Sequence, residues 1–505
     1  MNVAVVHSRA CRGIQAPSIR VEVHLSGGLP STQIVGLPAA AVRESRDRVR
    51  AALMSTRFKF PTRRITINLA PADIPKEGSR FDLPIALGIL AASGQIPSTD
   101  FDKIEFLGEL GLAGDLCAID GVLPAVIAAG QQHKCCVVPT ANAIEASWAQ
   151  IDNVYIATNL LEVCAALKGA KPWQIARLPI GCLNPVQPES HEIDAVCGQV
   201  HAKRALEIAA AGGHHLLLVG PPGCGKTLLA SCLPDLLPDM TKEETLETAS
   251  IYSMSGAGNI ENIRWRRRPF RSPHHSSSSI ASVGGGRHPR PGEISLAHHG
   301  VLFLDELTEW QRGTLEMLRE PIESGHIRIA RANERLQFPA RFQLVAAMNP
   351  CPCGWAGDPS GRCHCTPNGI QRYLQRISGP LLERIDLQVH LARIAAHSLL
   401  RISPPRRTDI ASFRERIERA RQIQFNRGNC LNADLKPDQV FEHCSLHKQE
   451  INLLESVIDQ RQLSGRTAHR IMRVARTIAD FDQHENIEKE HLKEAISLRL
   501  IEANQ

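Results

Sequence analysis

A chain of 505 residues with 58 Lys and Arg against 52 Asp and Glu has room for roughly two to four domains with ordinary cores. Its formal net charge of +6 is too small to argue by itself for a polyanionic partner. No stretch approaches the roughly 18 apolar residues of a membrane span, and the opening Met1–Val6 run is broken too soon for a signal peptide. With 15 scattered cysteines, the chain is expected in a reducing cytoplasm, with free thiols and no disulfide framework.

Residues 1–168 alternate short apolar runs with Gly and Pro turns, the texture of an α/β domain. Two stretches in it, Pro75–Leu87 and Gly108–Val126, resemble the proteolytic domain of Lon proteases. In Lon a Ser–Lys dyad cuts peptides, the lysine acting as base for the serine. Matched position by position, Arg80 stands where the serine belongs and Leu123 where the lysine belongs, while Ser79 is one residue out of register. Neither Arg80 nor Leu123 has the chemistry of a nucleophile or a base. The resemblance implies a Lon-like fold without peptidase activity, used for assembly or partner contact.

Residues 169–192 carry Pro172, Pro179, Pro185 and Pro188 with little periodicity, as a linker would. An ATPase core is expected over 193–395. There the apolar run Leu216–Val219 feeds Gly220-Pro221-Pro222-Gly223-Cys224-Gly225-Lys226-Thr227 and then Leu228-Leu229-Ala230. Strand, glycine-rich loop and helix in this order make a phosphate-binding loop. Backbone N–H groups face the β- and γ-phosphates, and the helix N-terminus adds its positive end. Lys226 supplies a mobile cation and the Thr227 hydroxyl a ligand for Mg²⁺, so ATP and Mg²⁺ are the expected ligands.

Arg264–Arg271 is a basic run with interleaved aromatics, and Ser282–Pro291 a glycine-rich loop bearing Arg287 and Arg290. Gly300–Leu304 reads as a buried strand of a parallel sheet that ends in Asp305-Glu306. Asp305 is expected to hold Mg²⁺, directly or through water, and Glu306 to orient and polarise the attacking water. His326–Arg331 and Glu334–Phe338 form a predicted hairpin bearing Arg328, Arg331 and Arg335. Arginines so placed either grip phosphates without reading sequence or are solvated loop charges. A second apolar strand, Phe342–Met348, is tipped by Asn349, an amide in reach of the γ-phosphate or the water.

Directly behind it come Cys351-Pro352-Cys353 and Cys363-His364-Cys365. Two close thiol pairs across the loop 351–365 suit a structural Zn²⁺ held by Cys351, Cys353, Cys363 and Cys365. Four reduced thiols, with His364 as a substitute ligand, is the other reading. After Ser403-Pro404-Pro405 the apolar spacing turns helical, which predicts an all-α lid over 405–505. In it Arg466, Arg470 and Arg473 share a face at i, i+4 and i+7, beside the apolar Ile471, Val474, Ala475 and Ile478.

Phosphate loop, paired acids and polar strand tip resemble, in that order, the AAA+ ATPases: a P-loop core with a parallel sheet in a three-layer αβα arrangement. The resemblance implies that Asn349 is sensor 1. It implies that the hairpin and the Gly-rich loop line a central pore. Arg384, in Gly379–Asp386, becomes an arginine finger reaching the neighbouring subunit's nucleotide, worth roughly three to five orders of magnitude in rate. The plainer alternative is that it is one half of a salt bridge to Glu383 or Asp386. Arg466 becomes sensor 2, unless the basic stripe is a plain solvated face.

Over nearly the whole chain the order of parts, and the segments Arg268–His275, Gly292–His298, Asn349–Gly354 and Arg473–Asp480, resemble the ComM/YifB family. Its magnesium-chelatase-like AAA+ core joins a Lon-like domain to a helical lid. The resemblance implies a homo-hexameric, ATP-driven DNA helicase that promotes branch migration and extends incoming single-stranded DNA into the chromosome in natural transformation. Single-stranded and branched DNA and recombination proteins are then the partners. The rival expectation is a chelatase-type motor that remodels a protein and whose ATPase ignores DNA.

Overall fold

The computed structural model describes residues 3–177, 196, 198–256, 265–286, 290–331, 334–393 and 410–499. Arg287, Ser403-Pro404-Pro405 and most of the expected linker lie outside the described residues.

The N-terminal strands are β1 (Val3–Arg9), β2 (Ser18–Ser26), β3 (Ser31–Val35), β4 (Arg64–Ala70), β5 (Ile104–Phe106), β6 (Glu109–Leu110), β7 (Leu116–Cys117), β8 (Cys135–Pro139), β9 (Val154–Ala157) and β10 (Gln174–Ile175). Eight of them make one mixed sheet in the order β10-β9-β8-β5-β1-β2-β4-β3, and β6 pairs with β7 alone. Strand β2 shows why it forms: Ile19, Val21, Val23 and Leu25 are buried and alternate with polar residues, so one pleated face enters the core. Helix Asp82–Ala92, buried at almost every position, covers that face. It lies so close that a Cβ at Gly88 would come within 2.5 Å of Val23. The sheet runs past residue 168 into the expected linker, because β10 pairs with β9 and Trp173 stacks on Tyr155 at 5.1 Å.

The second half adds β11 (Leu216–Val219), β12 (Phe270–Arg271), β13 (Gly284–Gly285), β14 (Arg290–Pro291), β15 (Val301–Leu304), β16 (His326–Arg331), β17 (Glu334–Pro339), β18 (Gln343–Met348) and β19 (Leu387–His390). Five of these form an all-parallel sheet, β12-β15-β18-β11-β19. Its strands are apolar runs because both faces are covered. Leu216, Leu218, Phe303 and Val345 enter one core, while Leu217, Leu302, Leu304 and Leu344 enter the other. The first core is shared with the lid, whose helix Gly465–Phe481 buries Ile471, Val474, Ala475 and Ile478. β13 and β14 make a short ribbon, and β16 and β17 the expected hairpin.

The Lon-like positions lie at a junction with the ATPase core. Leu123 is fully buried, and its N–H donates to Glu145 Oε1 at 3.1 Å. Arg80 is buried and donates to the Asp120 carbonyl, while Ser79 donates to Glu109. The core helix Lys242–Ser255 packs Ala249 and Tyr252 against Val122, Leu123 and Val126, and Gly121 N–H donates to Ser253 O at 2.9 Å.

The basic stripe of the lid is not uniformly solvated. Arg470 reaches inward to Asp386 Oδ1 at 2.6 Å, and Arg473 donates to the carbonyls of Ala433 and Leu435. Burial pushes the Asp386 carboxyl up, but Arg470 and His214 outweigh it and hold it well below the carboxylate range. Removing Arg470 would leave that buried charge with only His214 and the His215 N–H. Arg470→Ala is expected to cost about 3 kcal/mol at neutral pH, read as a lower urea midpoint. A carboxylate with a depressed folded pKa adds stability above its unfolded pKa and loses it as pH falls. The gap between wild type and Arg470→Ala should therefore narrow below about pH 4; equal midpoints at pH 7 would refute the role.

Candidate nucleotide site

Strands β11, β15 and β18 are neighbours and parallel, so their carboxyl ends open on one edge of the sheet. From β11 the chain turns through Gly223 and Gly225 at φ 75° and 90°, the left-handed region that favours glycine. A Cβ at either meets nothing within 4 Å, so the loop encloses open space. Pro222 and Gly223 are exposed, and Cys224 and Leu228 pack towards the core. Lys226, first residue of helix Lys226–Leu236, donates from Nζ to Gly220 O at 2.8 Å, Pro221 O at 3.0 Å and Asn349 Oδ1 at 3.0 Å. Partial burial lowers its pKa from the usual lysine value. Loop lysine and strand-tip amide, 123 residues apart, thus meet directly.

Thr227 Oγ1 donates to Asp305 Oδ2 at 2.9 Å. Two hard oxygen donors at this separation fit Mg²⁺, which prefers carboxylate and hydroxyl oxygens. Glu306 follows in the left-handed region at φ 50°, its N–H on Asp305 Oδ1 at 2.9 Å and its side chain exposed. Trp310 Nε1 donates to Asp305 O and pins the turn from behind. One residue escaped the sequence reading as a participant: His275, whose Nδ1 lies 3.1 Å from Glu306 Oε2. The available signal was the His274-His275 pair that follows strand β12.

The four expected thiols converge. Sγ of Cys351 is 3.3 Å from that of Cys353 and 3.8 Å from that of Cys363, Cys353 to Cys363 is 3.7 Å, and all four lie within 4.8 Å of one another. Zn–S bonds of about 2.3 Å in a tetrahedron give sulfur separations of about 3.8 Å, so the set fits Zn²⁺. The Trp355 N–H and the neighbouring Cys351 pull the Cys353 thiol down to about 6, towards the thiolate that binds metal. The cluster braces the site: a Cβ at Gly354 would meet Pro222 of the phosphate loop at 2.7 Å. Two other groupings, Glu247/His298/His299 and His484/Glu488/His491, are poor metal sites. In each, one histidine's Nδ1 accepts a backbone N–H, from Arg341 to His298 and from Glu488 to His491. The neutral ring then carries its proton on Nε2, which faces Glu247 at His298 and, outside the grouping, Asp482 at His491.

Residues 192–399 match the family described as magnesium chelatase, subunit ChlI; residues 21–142 match subunit ChlI of Mg-chelatase, and 408–499 its C-terminal part. The chain is 47% identical over 502 residues to the competence protein ComM of Haemophilus influenzae, covering 99% of this chain and 98% of that one. It is 46% identical to YifB of Escherichia coli with the same coverage. The chain belongs to the ComM/YifB family. An archaeal Lon protease of Archaeoglobus fulgidus is 40% identical over 72 residues, 14% of this chain and 11% of that protein. The AAA+ fold, the Lon-like likeness and the helical C-terminal region follow, and with them a family that implies nucleotide and Mg²⁺. Among the described residues no helix is long and apolar enough to cross a membrane.

The arginines expected from the ComM/YifB resemblance are less uniformly disposed. Arg384 does not project from the surface: Nη1 donates to Pro380 O at 2.7 Å and Nη2 pairs with Glu323 at 2.5 Å. Neither Glu383 nor Asp386 is its partner, since Asp386 is taken by Arg470. Arg466 is exposed on the first turn of its helix. Arg290 is turned to the N-terminal domain, with Nη2 on Asp120 Oδ2 at 2.9 Å, and is not a free pore cation. Arg328 is exposed on β16; Arg331 and Arg335 lie in the hairpin strands, their side chains outside the description, and Arg287 lies outside altogether. A Zn²⁺ ion in the thiol cluster predicts about one zinc per chain by metal analysis, lost in Cys351→Ser. A value near zero in protein purified without chelator would refute it.

Proposed function

We propose that this protein is an ATP-driven, homo-hexameric DNA translocase that promotes branch migration and extends the integration of incoming single-stranded DNA, in concert with recombination proteins. The observation that carries the ATPase half is the meeting of Lys226, Asn349, Thr227 and Asp305 at one sheet edge. The DNA half is supported by the arginine-bearing hairpin β16–β17 and by likeness to a protein named for competence.

Lys226 exchanges its loop carbonyls for phosphate oxygens, and the N–H groups of Gly223–Leu228 cradle the β-phosphate. Thr227 and Asp305 would hold Mg²⁺, which would supply charge neutralisation for the phosphates. Glu306 takes the proton of the attacking water at a carboxylate oxygen, and the Asn349 amide orients that water or the γ-phosphate. Arg384, once released from Glu323 by subunit packing, neutralises charge on the neighbour's γ-phosphate, and Arg466 does the same in cis. Arg287, Arg328, Arg331 and Arg335, joined by Arg290 once it leaves Asp120, hold DNA phosphates around the pore. Cys351, Cys353, Cys363 and Cys365 would hold a structural zinc, which would brace loop and sensor. The rival reading, a motor that remodels a protein, draws on the magnesium chelatase descriptions that match along the chain.

Steady-state ATP hydrolysis with and without single-stranded and forked DNA, at low and moderate salt, separates the two. Strong stimulation that fades with salt is expected; robust hydrolysis indifferent to DNA would favour the protein-remodelling motor. Lys226→Ala is expected to abolish nucleotide binding, and Glu306→Gln to bind ATP while losing at least about a hundredfold in kcat. Equal hydrolysis by Glu306→Gln would remove Glu306 from the reaction. Arg384→Ala should be inactive alone yet regain activity when mixed with Lys226→Ala, because each site spans two subunits. No recovery at any mixing ratio would exclude a trans role.

A further inference from the structure

The turn that carries Arg384 is gripped by two arginines of the lid. The short helix Gly379–Glu383 leaves its last carbonyls without a partner inside the helix. Those of Glu383, Arg384, Ile385 and Asp386, four in a row, accept from the lid instead. Arg499 donates from Nη2 to Glu383 O at 2.9 Å, and from Nη1 to Ile385 O and, at 3.1 Å, to Asp386 O. Arg470 Nη1 donates to Arg384 O at 2.9 Å as well as to the Asp386 carboxylate. The two come from different parts of the lid, Arg470 from helix Gly465–Phe481 and Arg499 from just beyond helix Lys489–Ser497.

A buried guanidinium is costly to keep, and Arg499 is 5% exposed. Burial pulls its pKa down to about 10, further than the nearby Asp386 raises it. Its rigid fork is spent on one stretch of backbone, at carbonyls i, i+2 and i+3, which fixes how that stretch is turned. The Arg384 side chain is held less well than its backbone. Its carboxylate partner Glu323 is exposed, and its own Nε is buried with no hydrogen bond. A buried donor without an acceptor favours a move to one.

We propose that Arg499 is a positioning residue for Arg384, and that with Arg470 it makes the lid of one subunit set the arginine offered to the neighbour's nucleotide. This rests on the trans reading of Arg384 above. Arg466 stands one turn before Arg470 on the same helix. A phosphate that draws Arg466 in one site therefore pulls, through that helix, on the turn whose side chain serves the next site.

The test is subunit mixing of full-length proteins, scored by steady-state ATP hydrolysis, with binding of a fluorescent ATP analogue measured on each variant alone. Arg499→Ala is expected to bind the analogue within about twofold of wild type yet lose about a hundredfold in kcat, the cost of a misplacement of about 1 Å. Arg499→Lys, with one ammonium in place of the fork, should recover part of that loss, and each mixture is repeated with it. An Arg499→Ala subunit would have a sound site and a misplaced Arg384. It should regain activity when mixed with Lys226→Ala, which keeps a sound Arg384, and gain none with Arg384→Ala. A residue that serves only its own subunit's site, or only the fold, gives the reverse: recovery with Arg384→Ala and none with Lys226→Ala. That reverse pattern, or loss of analogue binding in both Arg499 variants, overturns the proposal. If Arg384→Ala itself regains nothing with Lys226→Ala, the trans reading falls and this inference falls with it.

Discussion

Everything at the nucleotide site depends on the register of three parallel strands. Val219 of β11 pairs with Met348 of β18, and Leu304 of β15 with Ala346. Of the residues that follow, Gly220 and Asn349 therefore emerge level, and Asp305 two residues behind them, on one edge. Side chains alternate between two cores across this sheet, so a one-residue slip of any strand would exchange its buried faces. Core packing thus locks the register, and the register brings Lys226 within 3.0 Å of Asn349. The catalytic geometry is a by-product of burying leucines, valines and phenylalanine on two faces.

That dependence explains what could be read from the chain and what could not. Strands β11, β15 and β18 were legible because doubly covered strands are unbroken apolar runs, and because chemically unusual residues sit at their ends. The cysteine cluster was legible because its spacing is local: two C-x-C pairs need only one loop to meet. Ion-pair partners were not legible. Arg384 finds Glu323 and Arg290 finds Asp120, pairings between separate elements that no periodicity encodes. The lid stripe misled for the same reason, since helical spacing gives a face but not what that face meets. Arg470 on it meets a buried aspartate.

In the N-terminal domain the Lon-like positions make contact with the core helix Lys242–Ser255. A Ser–Lys pair facing an open groove must stay wet to work. With Arg80 and Leu123 at the matching positions, Leu123 joins an apolar cluster with Ala249 and Tyr252 of the core helix Lys242–Ser255. Burying an unpaired lysine there would be costly, whereas burying a leucine is favourable by about 2 kcal/mol. Polar bonds then set the register of the joint, through Gly121 to Ser253 and through Glu145, which accepts from Ser253 as well as from Val122 and Leu123. The helix so held ends beside the ribbon whose Arg290 reaches Asp120. The Lon-like domain and the basic ribbon are thereby one mechanical unit in this conformation.

Exposure sorts the arginines by what they are free to do. Three of the cations expected to act on phosphate, Lys226, Arg384 and Arg290, are parked on internal acceptors, but the acceptors differ. Glu323 and Asp120 are 57% and 35% exposed, so when their arginines leave, water solvates the carboxylates and the loss is small. Asp386 is 2% exposed; stripping Arg470 from it would strand a charge in the core. Arg384 and Arg290 can therefore trade partners for a phosphate, while Arg470 is committed to holding the lid on the sheet. Lys226 belongs with the mobile group, because its carbonyl and amide partners lose only ordinary hydrogen bonds when it turns to a phosphate. The fold thus keeps Lys226, Arg384 and Arg290 on weak internal contacts and uses the buried Arg470–Asp386 pair for structure.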